Sequence, residues 1–340
     1  MEDFVHTLNA VIWSPALVAF CLGAGLFFSI KSRFVQLRLI PEMWRLLFQK
    51  KEDEIGLSSF QALSLTLAGR VGTGNIAGVA TAICFGGPGA LFWMWVVAFL
   101  GASSAFVEST LGQIYKERIE GQYRGGPAFY IERGLKLKAY AWAFAIVTIL
   151  ASCFFCPGVQ SNSIALAWNE AFGLDAEVTA AIVASITCFV IVGGLRRIAT
   201  FTSWVVPFMA QAYIVVALII VGVNWEQIPA VMTLIVNSAF GFDSLTGGML
   251  GAAIAWGVKR GIYSNEAGQG TGPHASSAAA VSHPAKQGLV QAFSVYIDTL
   301  FVCSATGFMI LMTGCYNMQA PDGSMIFEGL KGVEAGPVYT

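Results

Sequence analysis

Charge is what this sequence has least of: Asp, Glu, Lys and Arg make up 11% of its 340 residues, against about 25% in water-soluble domains. That shortage excludes a soluble globular fold. With 56% apolar residues and a mean hydropathy of +0.67, the chain belongs in a membrane. A basic excess is also lacking, since 19 Lys and Arg stand against 20 Asp and Glu; nothing is present to neutralise a phosphate backbone, so nucleic acid is excluded as a partner. The seven cysteines lie mostly inside apolar runs, where a thiol behaves as a small hydrophobe rather than half of a disulfide framework. Cys153 and Cys156 form a CxxC without a second pair, and His274 and His283 have no third ligand, so no structural metal site is expected.

The N-terminal stretch MEDFVHTLNA carries Glu2 and Asp3 but no Lys or Arg, whereas a secretory signal needs a positive region ahead of its apolar core. The first apolar run is therefore expected to be a retained span. About 20 apolar residues cross a bilayer, and that ruler yields spans near 11–30, 60–84, 88–112, 139–167, 176–194, 202–223, 245–270 and 286–314. Cytoplasmic loops retain Lys and Arg, and the loops here alternate without a break. Loops 31–59 and 113–138 hold six basic residues each, 195–201 holds Arg196 and Arg197, 271–286 holds Lys286, and the opposite loops hold only Lys331. The basic loops are expected in the cytoplasm and the N-terminus outside. Within 31–59, Arg38 and Arg45 sit among Leu39, Ile40, Met43, Trp44, Leu46, Leu47 and Phe48, the pattern of a short helix lying in the interface.

A repeat emerges when the glycine-rich spans are compared. Arg70, Asn75, Ala77, Gly78 and Thr81 recur 190 residues later as Arg260, Asn265, Ala267, Gly268 and Thr271. Arg and Asn are rare inside membrane helices, so their matched spacing carries more weight than the small residues. The second span runs outward and the seventh inward, with five helices from the start of one repeat to the start of the next. Two inverted units of five helices are a transporter design in which the first helix of each unit breaks near the midplane and binds substrate and ion.

Gly72-Thr73-Gly74-Asn75 joins residue types that disfavour helix interiors, glycine alone costing about 1 kcal/mol relative to alanine. A break there leaves peptide groups that hydrocarbon cannot satisfy, and the following half-helix offers its N-terminal amides to a carboxylate. In the seventh span Gly257, Gly261, Gly268, Gly270 and Gly272 surround Tyr263-Ser264-Asn265-Glu266, and Ser264 is placed to cap a second half-helix. The same glycines also suit close helix packing of the GxxxG kind. Six charges fall within spans, Arg70, Lys259 and Arg260 against Glu108, Glu266 and Asp298, each costing about 2.5–3.5 kcal/mol in hydrocarbon if left alone. Arg70, Glu108, Glu266 and Asp298 lie in the cytoplasmic half of their spans, as either a network closing the inner mouth or a static ion-pair scaffold. Gln160 and Asn162 follow the Pro157-Gly158 helix weakness, where their amides suit substrate or helix–helix hydrogen bonds.

The string from Gly86-Gly87-Pro88-Gly89 to Trp93-Met94-Trp95, with GRVGTGNIAG before it and SNEAGQGTGPHASS later, resembles the alanine/glycine:cation symporter family over residues 60–340. The resemblance implies an all-α polytopic membrane protein of the leucine-transporter-like five-plus-five fold preceded by one extra helix. The chain then divides into 1–59, a first repeat at 60–243 and the first two helices of a second repeat at 244–340, which is incomplete. It also implies symport of alanine or glycine with sodium as coupling ion, no cofactor and no obligate protein partner, in a plasma membrane. By position, Thr73, Gly74, Asn75 and Gln160 are implied as substrate contacts, with the seventh-helix break around Gly257 and Gly261 completing the pocket. Carbonyls around Gly69 and Gly72 are implied as half of an ion site.

An intramembrane hydrolase built on Asn265, Glu266 and His274 is the competing enzyme reading, but no nucleophile and base stand at defined spacing. An inserted chain that transports nothing is the other, given two rather than five helices in the second unit. Cysteines introduced in 31–59 and 113–138 should react with an impermeant maleimide only from the cytoplasmic side, and labelling of either loop from outside reverses the orientation.

Overall fold

The apolar runs fold as helices in the computed structural model, which describes residues 7, 9, 11–49, 53–241, 247–319 and 323–329. The first span is α1 (Pro15–Lys31), with proline in the first helical turn where its missing N–H costs nothing. Two short helices, α2 (Val35–Arg38) and α3 (Ile40–Leu47), follow in the basic loop. Helix α3 buries Met43, Leu46 and Leu47 and leaves Trp44 and Phe48 exposed, the amphipathic helix that the sequence predicts.

The second span is two helices. Helix α4 (Ser59–Arg70) opens on a capping box in which Ser58 Oγ accepts from Gln61 N at 3.1 Å and Gln61 Oε1 accepts from Ser58 N at 3.0 Å. It stops two residues short of α5 (Thr73–Gly86). Helix α6 (Gly89–Ile114) returns and leads through a hairpin, β1 (Glu117–Ile119) with β2 (Gln122–Arg124), to α7 (Pro127–Gly134). The fourth span joins α8 (Lys138–Leu150) to α9 (Cys156–Phe172) through a π-helical turn at Ala151–Phe155. The turn stands just before Pro157, whose ring clashes with the carbonyl four residues back and whose nitrogen cannot donate.

Helices α10 (Ala176–Ile191) and α11 (Gly194–Val223) complete the next hairpin. Arg196 and Arg197 belong to the first turn of α11 rather than to a loop, so the sixth span starts earlier than expected. The stretch read as an outer loop contains α12 (Ile228–Phe240), whose 13 residues reach only about 20 Å and therefore fall below the spanning ruler. The seventh span is α13 (Gly247–Asn265) and α14 (Gly272–Ser277). The eighth is α15 (Pro284–Val295), a π-helical segment Tyr296–Cys303 and α16 (Ser304–Thr313), followed by a hairpin, β3 (Asn317–Gln319) with β4 (Met325–Glu328). Among the described residues the protein is all-α apart from these small hairpins. The helical stretches Gly89–Ile114, Lys138–Phe172, Gly194–Val223 and Pro284–Thr313 each have the length and apolar composition to cross a membrane.

Helix α6 is the centre of the packing, with α1, α12, α13, α14 and α15 against it. Helices α8 to α10 instead turn apolar side chains outward, Trp142 at 70% and Phe172 at 73% exposure. The α13–α6 seam is close because of glycine. A Cβ on Gly257 would stand 2.5 Å from Ala90 O, and one on Gly261 would stand 3.2 Å from Val97 Cγ1. These two residues lie within a continuous helix, so the seventh-span break is not at Gly257–Gly261, and their missing side chains serve backbone approach. Gly257→Val should therefore lower stability by about 1–3 kcal/mol through overpacking. Gly251→Ala, where no atom lies within 4 Å of the new Cβ, should be neutral or slightly stabilising. Thermal denaturation of both variants in detergent checks the contrast, and equal melting temperatures would refute it.

Candidate functional site

The first break is held open by one side chain. Helix α4 ends as Val71 N donates to Leu67 O at 2.7 Å, and Asn75 then reaches back so that its Oδ1 accepts from Gly72 N at 2.8 Å. The amide of Thr73, at the start of α5, donates to Gln160 Oε1 at 3.3 Å, and the Thr73 hydroxyl has no hydrogen-bond partner. A Cβ on Gly72 would lie 3.1 Å from that Gln160 oxygen; one on Gly74 would lie 3.4 Å from Ser264 Cα and from the Tyr263 ring. The structure thus brings Thr73, Gly74, Asn75 and Gln160 together opposite Tyr263 and Ser264. Asn162 is exposed and does not join them.

One turn further in, the same asparagine enters a buried polar cluster. Asn75 Nδ2 donates to Asp298 Oδ1 at 2.6 Å and to Ser264 Oγ at 3.1 Å. The Ser264 and Thr299 hydroxyls donate to Asp298 Oδ2 at 2.9 and 2.8 Å, and Asn265 Nδ2 donates to Thr299 Oγ1 at 3.3 Å. Asp298, Thr299 and Asn265 are fully buried. The two asparagines of the 190-residue repeat therefore meet on the π-helical segment of the eighth span. A π-helical insertion is a frequent device at functional positions, but no glycine or proline inside this one marks it in the sequence. Ser264 lies in the last turn of α13 and donates to Asp298, so it is not the cap of a second half-helix.

The second break runs from Glu266 to Thr271. Glu266, Gly268 and Gly270 adopt φ of 52°, 83° and 85°, left-handed values that end α13 and that glycine adopts without penalty. Its amides find partners inside the protein: Ala267 N donates to Asn265 Oδ1 at 3.0 Å, Gly268 N to Glu108 Oε1 at 3.2 Å, Gln269 N to Glu266 O at 3.1 Å and Gly270 N to Glu108 Oε2 at 3.1 Å.

Arg70, Glu108, Glu266 and Asp298 converge here, yet among the described residues no direct ion pair joins them. Arg70 is 2% exposed. Its Nη1 donates to Ser294 Oγ and to Gln291 O, while Nε and Nη2 have no partner. A Cβ on Gly272 would stand 3.2 Å from Arg70 Nη2 and 3.6 Å from Glu108 Oε1, so these charges face each other across the bare glycine. Glu266 Oε2 accepts from the Thr271 hydroxyl at 2.6 Å and is the nearest atom, at 3.8 Å, to the open side of Gly69. The expected ion-pair network is thus corrected: the carboxylates spend their acceptors on backbone and hydroxyl donors because the unwound chain competes for them. Gly72 O, one of the nominated ion carbonyls, accepts from Asn75 N at 3.1 Å. Of the residues named for a hydrolase, Asn265 and Glu266 are engaged as above, and His274 Nδ1 hydrogen-bonds Gly125 O at 3.2 Å.

The face carrying the basic loops holds a contact that sequence reasoning missed. Leu57 N donates to Ala278 O and Ala280 N to Leu57 O, both at 2.9 Å, a parallel bridge that ties the chain just before α4 to the chain just after α14. Lys116 Nζ, beyond the end of α6, donates to Ala279 O at 2.7 Å and to Gln113 Oε1 at 2.8 Å. A Cβ on Gly56 would meet Ala280 Cβ at 2.6 Å. The bridge uses backbone atoms, so Leu57 and Ala279 give no motif to find; the paired glycine and small residues are the only trace.

The family model for the sodium:alanine symporter family matches residues 1–333. The chain is 62% identical over 340 residues to the putative sodium/proton-dependent alanine carrier protein YrbD of Bacillus subtilis, covering 100% of this chain and 70% of that protein. It is 43% identical to the probable sodium/glutamine symporter GlnT of the same organism, over 95% of this chain and 68% of the relative. It is 41% identical to the sodium/alanine symporter AgcS of Methanococcus maripaludis, over 92% and 71%. With its broken helices meeting at a buried polar centre and its match running nearly from end to end, this chain belongs to the sodium:alanine symporter family.

Proposed function

We propose that the chain carries a small neutral amino acid, alanine or glycine, into the cell together with sodium by alternating access, as a multi-pass plasma-membrane protein with its basic loops in the cytoplasm and its N-terminus outside. The observation that carries this reading is the start of α5, where Thr73 has an unpaired hydroxyl and an amide shared only with Gln160. A helix N-terminus favours an anion, so the substrate carboxylate takes the Thr73 donors and releases the Gln160 oxygen to accept from its ammonium. Tyr263 and Ser264 close in on Gly74, and the small residues of the break suit a substrate with a small side chain.

Sodium is a hard cation that prefers oxygen ligands. The Asp298 carboxylate with the Ser264 and Thr299 hydroxyls supplies them, and burial of that carboxylate without a cationic partner is costly enough to favour such an occupant. Carbonyls near Gly69 and Gly72 stay within the proposal as a second ion seat. Asn75 touches both sites, with Oδ1 on Gly72 N and Nδ2 on Asp298. Occupation of either site thereby alters the other, which is what coupling requires. The two breaks support the inverted repeat, with units 60–243 and 244–340, although the second break falls a few residues later in register. Arg70, with two free donors between Glu108, Glu266 and Asp298, acts as the gate charge that changes partner between states. The Leu57–Ala279 bridge closes the inner mouth.

The test is uptake of radiolabelled alanine by the chain in proteoliposomes under an inward sodium gradient. Accumulation lost on replacing sodium by choline supports the proposal, and equal uptake in choline refutes it. Asp298→Asn and Asn75→Ala should each weaken sodium dependence by about tenfold or more, since each removes a charge-assisted hydrogen bond in a buried site, while insertion is unchanged. Sodium activation within about twofold of the parent would remove Asp298 and Asn75 from the site.

The inner closure has its own pH dependence. Burial pushes the Lys116 ammonium down to about 8, against the opposing pull of Asp53, whereas a hydrated lysine titrates near 10.4. Between these values the closed bridge binds fewer protons than an open one, so raising the pH through that window favours closure. Spin labels at Glu54 and Ser282 should show a growing population of short distances from about pH 8 to pH 10, and Lys116→Met should abolish the trend. A pH-independent distribution in the parent would refute it.

A further inference from the structure

At the end of the bundle away from the basic loops, Lys259 is a cation within a span with no carboxylate at ion-pair distance among the described residues. Its Nζ lies 4.9 Å from the Trp256 ring centre and 5.7 Å from that of Trp13, with Asn9 Oδ1 at 3.4 Å. These groups line a small cavity of about 200 Å³. Trp13 also forms the rim of a larger cavity of about 650 Å³, which runs between α1, α6 and α13 along Leu17, Phe20, Leu100 and Val107 towards the second helix break. Lys259 thus sits level with the start of α1, where indoles and amines meet lipid headgroups, and an apolar channel leads inward from it.

We infer that this groove is a binding site for an anionic glycerophospholipid, its phosphate on Lys259 between Trp13 and Trp256 and one acyl chain laid along α6 to the second break. Three observations fix the occupant. Lys259 has no carboxylate partner among the described residues, and an indole pair leaves the ammonium partly desolvated, which strengthens its attraction for an anion. Between Val97, which faces Gly261, and Ser104, which faces Gly268 at the second break, the channel wall is about 10 Å long at 1.5 Å per residue, within the roughly 15 Å depth of one leaflet. The third lies at the far end, where Gly268 and Gln269 are exposed to the groove. Irregular backbone at membrane depth normally needs water or protein beside it. Here the amides of residues 267 to 270 are all satisfied internally, two of them by Glu108. The backbone there is therefore finished for an apolar neighbour, and an acyl chain from the bilayer covers it without leaving a backbone donor of residues 267 to 270 unpaired. The inference does not depend on the transport reading, because it uses neither Thr73 nor Asp298.

Native mass spectrometry of the detergent-purified chain tests it, with dioleoylphosphatidylglycerol, the uncharged dioleoylglycerol and inorganic phosphate as separate probes. Phosphatidylglycerol should be retained at one equivalent, dioleoylglycerol about tenfold more weakly, and phosphate not at all. Lys259→Gln should lose about tenfold in phosphatidylglycerol affinity and Lys259→Arg should keep it. Cys21→Trp, which fills the channel without touching the charge, should also lose binding. A photoactivatable acyl chain should crosslink to peptides of α1 and α6. Equal retention by Lys259→Gln and the parent, binding of phosphate alone, or crosslinks confined to α8 to α11 would overturn the assignment.

Discussion

A peptide group at membrane depth has no water to bond, so each place where a helix unwinds must supply partners from the protein itself. That constraint organises the whole molecule. It explains why Asn75 folds back on Gly72, why Glu108 sits buried against Gly268 and Gly270, and why the second break carries three left-handed residues in sequence proximity to a carboxylate of its own. It also explains why formal charges are here without ion pairs. Glu108 and Glu266 are acceptors for unwound backbone and hydroxyl first, and counter-charges to Arg70 second.

Much of this was legible from the residues. The apolar ruler finds the long apolar helices because length and hydropathy are bulk properties of a segment, and the Arg70/Asn75 echo at Arg260/Asn265 points to both broken helices because polar residues in a span must have a reason. The echo does not show that the two arginines have parted company. Arg70 is buried beside the carboxylates, whereas Arg260 packs on the rings of Trp256 and Tyr263. Similar spacing preserves the helix position of a side chain, and the neighbours that determine its role come from elsewhere in the chain.

What escaped sequence reading escaped for definite physical reasons. The π-helical turn under Asp298 involves hydrogen-bond register, which side-chain identity barely encodes. The Leu57–Ala279 bridge is made of backbone. Helix α12 is apolar but too short for the spanning ruler, and it packs on the end of α6, with Ser238 Oγ accepting from Gly89 N at 3.0 Å and Ala239 O accepting from the Trp93 indole at 3.1 Å. Gly257 and Gly261 were ambiguous by nature, since the same residue that permits a break also permits close approach. Only the neighbouring helix decides, and α6 fills the space.

The two breaks are chemically unlike. At the first, a hydroxyl is left without a partner and an amide is lent to the distant Gln160 side chain. At the second, the described amides are closed by Asn265, Glu266 and Glu108, and the surface left behind is inert. A pair of equally satisfied breaks would hold the fold but bind nothing, and a pair of equally unsatisfied ones would not tolerate the bilayer. One open break next to one closed break leaves hydrogen bonds unmade at only one of the two, and it is there that the proposed substrate would supply them.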